Sequence, residues 1–199
     1  PARQIRMVIA FPPGGPTDIV SRVLAQKLTE QLGQPVFVDN KPGAGGNIAA
    51  DMVAKAAPDG YTIFYNTSAI TIAPALYGKV PYDTLKDFEP VSSTAAVPMV
   101  VMVHPSVPVR SVKELLDYAR ANPGKLNYAS SGTGTVTHLA TAALAAHAGV
   151  TMQHVPYKGS APALTAILSG ELDVNFENGL LVMPHLRAGR LRPLGVIKG

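Results

Sequence analysis

The chain has 199 residues, 47% hydrophobic and only 15% charged, which excludes intrinsic disorder, because disordered chains are poor in apolar residues and rich in charge. No run approaches the roughly 18 uninterrupted apolar residues of a membrane span. Lys and Arg exceed Asp and Glu by 17 to 13, but the basic residues are scattered rather than gathered on one face, which argues against a nucleic-acid partner. The nearest basic grouping, Arg187, Arg190 and Arg192, reads as a solvated surface. The absence of cysteine removes thiol catalysis, Cys-ligated zinc and iron–sulfur clusters.

In chain order, Met7 to Phe11 is a short apolar run ended by Pro12-Pro-Gly-Gly15, the pattern of a buried strand entering a tight loop. Pro16 suits a first helical position, and Ile19, Val20, Val23, Leu24, Leu28 and Leu32 then recur at helical spacing up to Gly33. Val36 to Val38 predicts a second strand, Asn40 to Asn47 a glycine loop, and Ile48, Met52 and Val53 the inward face of a small-residue helix. Tyr61 to Tyr65 predicts a third strand, ending at Asn66-Thr-Ser68. From Phe88 to Pro105 the valines predict long extended segments without a helix, the texture of a connection between two lobes. The alternation then resumes. Ser111-x-x-Glu114 is a capping box opening a helix that Asn122-Pro-Gly124 ends. Strand 126–130, loop 131–135, a helix to Gly149, strand 153–157, helix 161–169, strand 172–177, helix 181–188 and a final strand near 191–197 complete the order. Alternating strands and helices imply right-handed crossovers and mostly parallel sheets. The expected organisation is two α/β lobes, 1–97 and 98–199, with hinge crossings near 98–104 and 191–199.

Ligands of parallel α/β sheets bind beyond the carboxyl ends of the strands. The loops there are rich in Gly, Ser, Thr and Asn, with Asp18, Lys41 and Lys158 as the few charged residues. Gly14 and Gly15 let backbone amides approach a ligand at the positive end of the following helix, and Ser130 to Thr135 builds a similar nest with added hydroxyls. Together they suit an anion held by neutral donors. Gly132-x-Gly134 lacks the third glycine of a dinucleotide fingerprint, Thr137 standing in its place, and no Gly-Lys-Ser/Thr or G-x-S-x-G occurs. The five histidines show no metal-binding spacing, so no metal or cofactor is expected. His138 reads either as a ligand contact or as a helix-surface residue, and Asp18 either as a positioning group or as a complement to the helix dipole. Glu171, Asp173 and Glu177 alternate as on a solvated edge strand, and Lys158 reads as surface.

Four ordered motifs carry a resemblance: Phe11-Pro-Pro-Gly-Gly-Pro-Thr-Asp18, Asn40-Lys-Pro-Gly-Ala-Gly-Gly-Asn47, Ala57-Pro-Asp-Gly-Tyr-Thr62 and Val155-Pro-Tyr-Lys-Gly159. Over nearly all its length the chain resembles the extracytoplasmic receptors of tripartite tricarboxylate transporters, the Bug-type solute-binding proteins. The resemblance implies a two-lobed α/β periplasmic binding protein of the type II, Venus-flytrap kind. It also implies export with the signal peptide removed, no catalysis and no cofactor. The implied ligand is a small organic acid (a di- or tricarboxylate, an acidic amino acid or an aromatic acid), handed to membrane permease subunits. The expected ligand contacts are Phe11, Gly14, Gly15, Thr17 and Asp18, then Asn66, Thr67 and Ser68. The second lobe would add Ser130, Ser131, Gly132, Thr133, Thr135, His138 and Tyr157. Family members continue beyond the position of Gly199, so the first lobe is expected to be unfinished here and prone to self-association. The alternative is a shortened, non-transport form acting as a sensor or interaction module.

Overall fold

The computed structural model describes residues 1–197, so the end of the expected second crossing, 198–199, lies outside the described residues. The chain divides into two compact units, one of Pro1–Ser92 and one from Ser93 onward. No described helix is long and apolar enough to cross a membrane.

The first unit contains a parallel sheet of β1 (Ile5–Ile9), β2 (Val36–Asn40) and β3 (Thr62–Tyr65) in the order β2-β1-β3. Central β1 is covered on both faces, so beyond Arg6 it reads as a continuous apolar run, Met7 to Ile9, instead of an alternation. Ile5 and Met7 pack with Ala25 and Val36 under α1 (Pro16–Leu32), and Val8 and Ala10 pack with Ala49 of α2 (Asn47–Ala54). Helix α1 presents Leu24, Ala25 and Leu28 to this core. Ile19, Val23 and Leu32, expected to face inward with them, are exposed, Val23 at 60%. On α2 it is the alanines 49 and 50 that are buried, which lets the helix approach β1 closely, while Ile48 points out. The chain enters α2 through a 3-10 turn, Ala44–Gly46. Gly46 there has φ 104°, and a Cβ on it would stand 3.2 Å from the Ala10 Cβ, so glycine answers both a backbone and a space requirement. A helix not anticipated from the sequence, α3 (Ala69–Tyr77), follows Ser68 directly. Its β-branched residues and internal Pro74 mask its helical character.

The second unit is built on a five-stranded sheet, from β4 (Met99–Val103), β5 (Asn127–Ser130), β6 (Gln153–Pro156), β7 (Val174–Asn178) and β8 (Arg192–Ile197). Its order is β6-β5-β7-β4-β8; β5 is parallel to β6 and β7, while β4 runs antiparallel to β7 and β8. Of the long extended stretch expected between Phe88 and Pro105, only β4 is strand. Helices α4 (Val112–Ala121) and α5 (Val136–Ala148) cover one face over Tyr128, Val174 and Phe176. Helices α6 (Ser160–Leu168) and α7 (Gly179–Arg187) cover the other over Val100, Met102 and Ala129. The Ser111 side chain accepts the Glu114 N–H at 3.1 Å, as a capping box requires. Glu114, however, reaches back to the Arg110 amide, one residue earlier than the usual partner.

One reading is overturned outright. The alternation of Glu171, Asp173 and Glu177 predicts a solvated edge, yet β7 is the middle strand of five and Glu177 is 1% exposed. Glu171 and Asp173 lie before the strand begins, where Asp173 accepts the Asn127 amide at 2.8 Å. Only Glu177 is carried into the sheet.

Candidate functional site

All the expected contact residues lie at or just beyond the carboxyl ends of parallel strands: β1 and β3 in the first unit, β5 and β6 in the second.

In the first unit, Gly15 caps α1 without any side-chain hydrogen bond, and Pro16 follows as the first helical residue. Asp18 is buried and turned toward its own loop. Its Oδ2 accepts the Gly14 N–H at 3.0 Å, its Oδ1 accepts Asn40 Nδ2 at 3.0 Å, and Arg22 Nε reaches both oxygens. Asn40 Nδ2 also donates to the Phe11 carbonyl at 2.9 Å. Burial pushes the Asp18 carboxyl up, but the bonds from Arg22, Asn40 and the Gly14 amide outweigh it and hold the group below the usual carboxylate range. Asp18 is therefore a loop-shaping residue, which leaves Gly14 exposed and Thr17 half-buried. Asn66 and Ser68 are exposed at the end of β3, and Thr67 Oγ1 accepts the Ala69 amide at 3.3 Å.

In the second unit the hydroxyls bond mainly to one another and to the loop backbone. Thr137 Oγ1 accepts the Ser131 N–H at 2.9 Å and lies 2.9 Å from both the Ser131 and Thr135 hydroxyls. Thr135 Oγ1 donates to the Gly132 carbonyl at 2.7 Å, so it does not cap the helix it precedes. Gly132 has φ 140°, a region closed to most side chains. Two bonds tie this loop to the next: Tyr157 N–H to the Ser130 carbonyl at 3.0 Å and Gly159 N–H to the Ser131 carbonyl at 3.1 Å. The Tyr157 hydroxyl is engaged with Glu171 at 3.3 Å, and Lys158 is exposed.

His138 is not a bare surface residue. Its ring stacks on His154 with centroids 4.0 Å apart, and His154 stacks in turn on Tyr128 at 4.9 Å. His138 Nδ1 accepts the Gly134 N–H at 3.2 Å, which assigns its proton to Nε2. His154 Nε2 lies 2.7 Å from Ser130 Oγ. Burial lowers the pKa of both rings, and His154, beside His138, falls to about 4. Both imidazoles are neutral at pH 7 and hold the loop as uncharged props. Because His154 has its pKa depressed on folding, its contribution is complete above the unfolded value near 6.5 and is lost as pH falls toward 4. Denaturant titrations are expected to show stability declining over that interval. His154→Phe, which keeps the stack, is expected to flatten the decline; an unchanged slope would remove His154 as its source.

Sequence reasoning did not single out Arg22, Asn40, Thr137 or His154. Asn40 at the end of β2 and Thr137 two residues beyond Thr135 were legible as positions on the ligand-binding edge, but their partners lie in other strands and loops. Among the described residues no group of three or more His, Asp or Glu is arranged to hold a metal ion.

The model of the tripartite tricarboxylate transporter family receptor matches residues 20–199. A Rhodopseudomonas palustris protein solved with adipate is 41% identical, with a TM-score of 0.95 over 98% of this chain and 66% of its own. The periplasmic binding protein BugD is 35% identical, with a TM-score of 0.94 over all of this chain and 66% of its own. MatC from Rhodopseudomonas palustris, solved with bound malate, is 31% identical, with a TM-score of 0.90 over all of this chain and 68% of its own. The chain spans 58% and 61% of the length of two curated relatives, one from Pseudomonas sp. and the other the protein BugT of Bordetella pertussis. Its fold over this span is that of periplasmic binding proteins, and the family is one of receptors rather than enzymes. By its family match and its sequence identity to solved receptors, the chain belongs to the receptor family of tripartite tricarboxylate transporters.

Proposed function

We propose that the protein is a periplasmic receptor that captures a small di- or tricarboxylate and delivers it to the membrane subunits of a tripartite transporter. The observation that carries this is a contrast among helix starts. Helices α4 and α7 are capped by the Ser111 and Asn178 side chains, whereas α1, α3, α5 and α6, which start at the expected site, have no side-chain cap, and neither has α2 beside them in sequence. First-turn amides left without a capping side chain are ready donors for an anion, and the helix dipole favours negative charge there. Each unit thus offers a place for one carboxylate group. The first-unit donors are the first-turn amides of α1 from Thr17 on, the Gly14 amide being held by Asp18, with Asn66 and Ser68 beside them. The second-unit donors are the first-turn amides of α5 at the end of the Ser130–Thr135 loop, whose own amides at Ser131, Gly132, Gly134 and Thr135 are already bonded locally. Asp18, Thr137 and the histidine stack hold these loops in shape.

That relatives of this chain were solved with adipate and with malate supports the ligand class. Calorimetric titration with adipate, malate, citrate, aspartate and benzoate tests it. Saturable binding of at least one dicarboxylate, with benzoate much weaker, is the expected result. A folded protein that binds none of the five acids would overturn the proposal.

A further inference from the structure

We propose that Glu177 is a proton-binding site coupled to anion capture: the protein takes up a proton at this carboxyl when the Ser130–Thr135 loop receives a carboxylate. This rests on the carboxylate reading above and extends it to a second, chemically distinct ligand.

Glu177 sits at the carboxyl end of β7 and is 1% exposed. Its Oε1 accepts the Asn178 amide at 2.8 Å, while its Oε2 makes no hydrogen bond of good geometry, the Ser160 side chain being a weaker polar neighbour of the carboxyl. Asn175, two residues earlier on the same strand face, is fully buried with both side-chain amide atoms unpartnered. This face meets Val100 and Met102 of β4, Ala129 of β5 and the inner sides of α6 and α7.

Among the described residues no cation stands against the carboxyl. Strands β4 and β5 and helix α6 contain no charged residue. Helix α7 has His185 and Arg187 in its last turn, at the end remote from Asn178. The turn before α6 contributes Tyr157, whose hydroxyl is engaged with Glu171, and Lys158, which is exposed. His138 and His147 belong to α5, whose Ala140 and Leu144 pack on the opposite face, where the His154 ring also stacks. A carboxylate so placed lacks the counter-charge that would keep it ionised. Burial accordingly pushes Glu177 up to about 7, against smaller lowering effects from the Asn178 amide and Ser160.

The connection to the anion loop runs through the turn before α6. Ser160, whose side chain interacts with the Glu177 carboxyl, follows Gly159, whose amide hydrogen-bonds the Ser131 carbonyl, and the Tyr157 amide bonds that of Ser130. A negative charge arriving at that loop repels a negative Glu177. The bound anion therefore favours the protonated carboxyl, and by reciprocity the proton favours the anion. Once protonated, the carboxyl becomes a donor, and Asn175 Oδ1 is an unused acceptor on the same face.

The test is titration of the protein, in its natural full extent, with adipate and malate from pH 6 to pH 9, in buffers of unlike ionisation enthalpy. Uptake of roughly half a proton per ligand is expected near pH 7, with affinity falling by up to about tenfold per pH unit above it. Glu177→Gln, neutral at every pH, is expected to abolish both effects while still binding. Carboxyl-carbon NMR of wild-type Glu177, with and without ligand, gives a second readout: a midpoint near 7 that rises on binding. Ligand binding without proton uptake, uptake that survives in Glu177→Gln, or a midpoint that ligand does not move would overturn this inference and leave the carboxylate reading intact. Failure of both acids to bind at any pH overturns the inference. If citrate and aspartate fail as well, the receptor reading falls with it.

Discussion

Asp18→Ala is expected to destabilise the first unit by about 3 kcal/mol and to weaken carboxylate binding at least about tenfold. The carboxylate is 4% exposed and accepts from a backbone amide, an asparagine amide and a guanidinium. Truncation leaves the Gly14 N–H and Asn40 Nδ2 without this acceptor and Arg22 without its counter-charge, while the loop loses the group that pins Gly14 against α1. Asp18→Asn separates charge from shape, since the amide is nearly isosteric but offers a donor toward other donors. It is expected to fall between wild type and alanine in both measurements. The pH dependence has a definite sign. A carboxyl whose pKa is lowered on folding contributes fully above its unfolded value near 3.9 and loses that contribution as pH falls through the lower folded value. Denaturation curves from pH 2 to pH 7 are therefore expected to show a loss below about pH 4 that Asp18→Asn lacks. Equal affinity in wild type and Asp18→Ala would show that this loop does not hold the ligand.

Thr137→Val is expected to cost about 2 kcal/mol and to lower ligand affinity about tenfold, whereas Thr137→Ser retains most of both. The hydroxyl is the hub of the second-unit loop. It accepts the Ser131 amide and stands 2.9 Å from the hydroxyls of Ser131 and Thr135. Valine fills the same volume, so the change isolates the polar function from packing. What remains is a half-buried Ser131 N–H without its acceptor in a loop whose glycine at φ 140° already restricts its shape. Denaturant titration and calorimetry on the three proteins check the ordering. Valine binding as tightly as threonine would mean that the loop keeps its shape without this hub.

The two predictions also show how the site was encoded. Gly14, Gly15 and Gly132 were legible because a backbone that must turn tightly or adopt a positive φ selects glycine locally. Asp18 was legible as an acid in the first turn of a helix, but dipole complementation and loop support predict the same residue at the same place. The Gly14 and Asn40 bonds decide for support, and Asn40 belongs to a different strand. His138 was open between surface and ligand roles for the same reason. Its ring partner, His154, lies 16 residues away and meets it only because β6 pairs with β5. The hydroxyls of Ser131 and Thr135 looked available to a ligand, yet much of their bonding capacity is engaged within the loop.

What the sequence determined by itself is local: the strand–loop–helix alternation, the helix starts at Pro16 and Ser111, the glycine turns, and four motifs specific enough to point to the receptor family. These follow from backbone preference and hydrophobic periodicity, which act over a few residues. The tertiary structure alone decided which strand is central and which is edge, and so turned Glu177 from an expected surface acid into a buried one. It also turned Val23 and Ile48 outward: α1 meets the sheet through Leu24, Ala25 and Leu28, and α2 approaches it closely through Ala49 and Ala50. The low charge count met at the outset takes its meaning here. With few charged side chains at the strand ends, the proposed anion binding rests on backbone amides, and their aim depends on hydrogen bonds between segments distant in sequence.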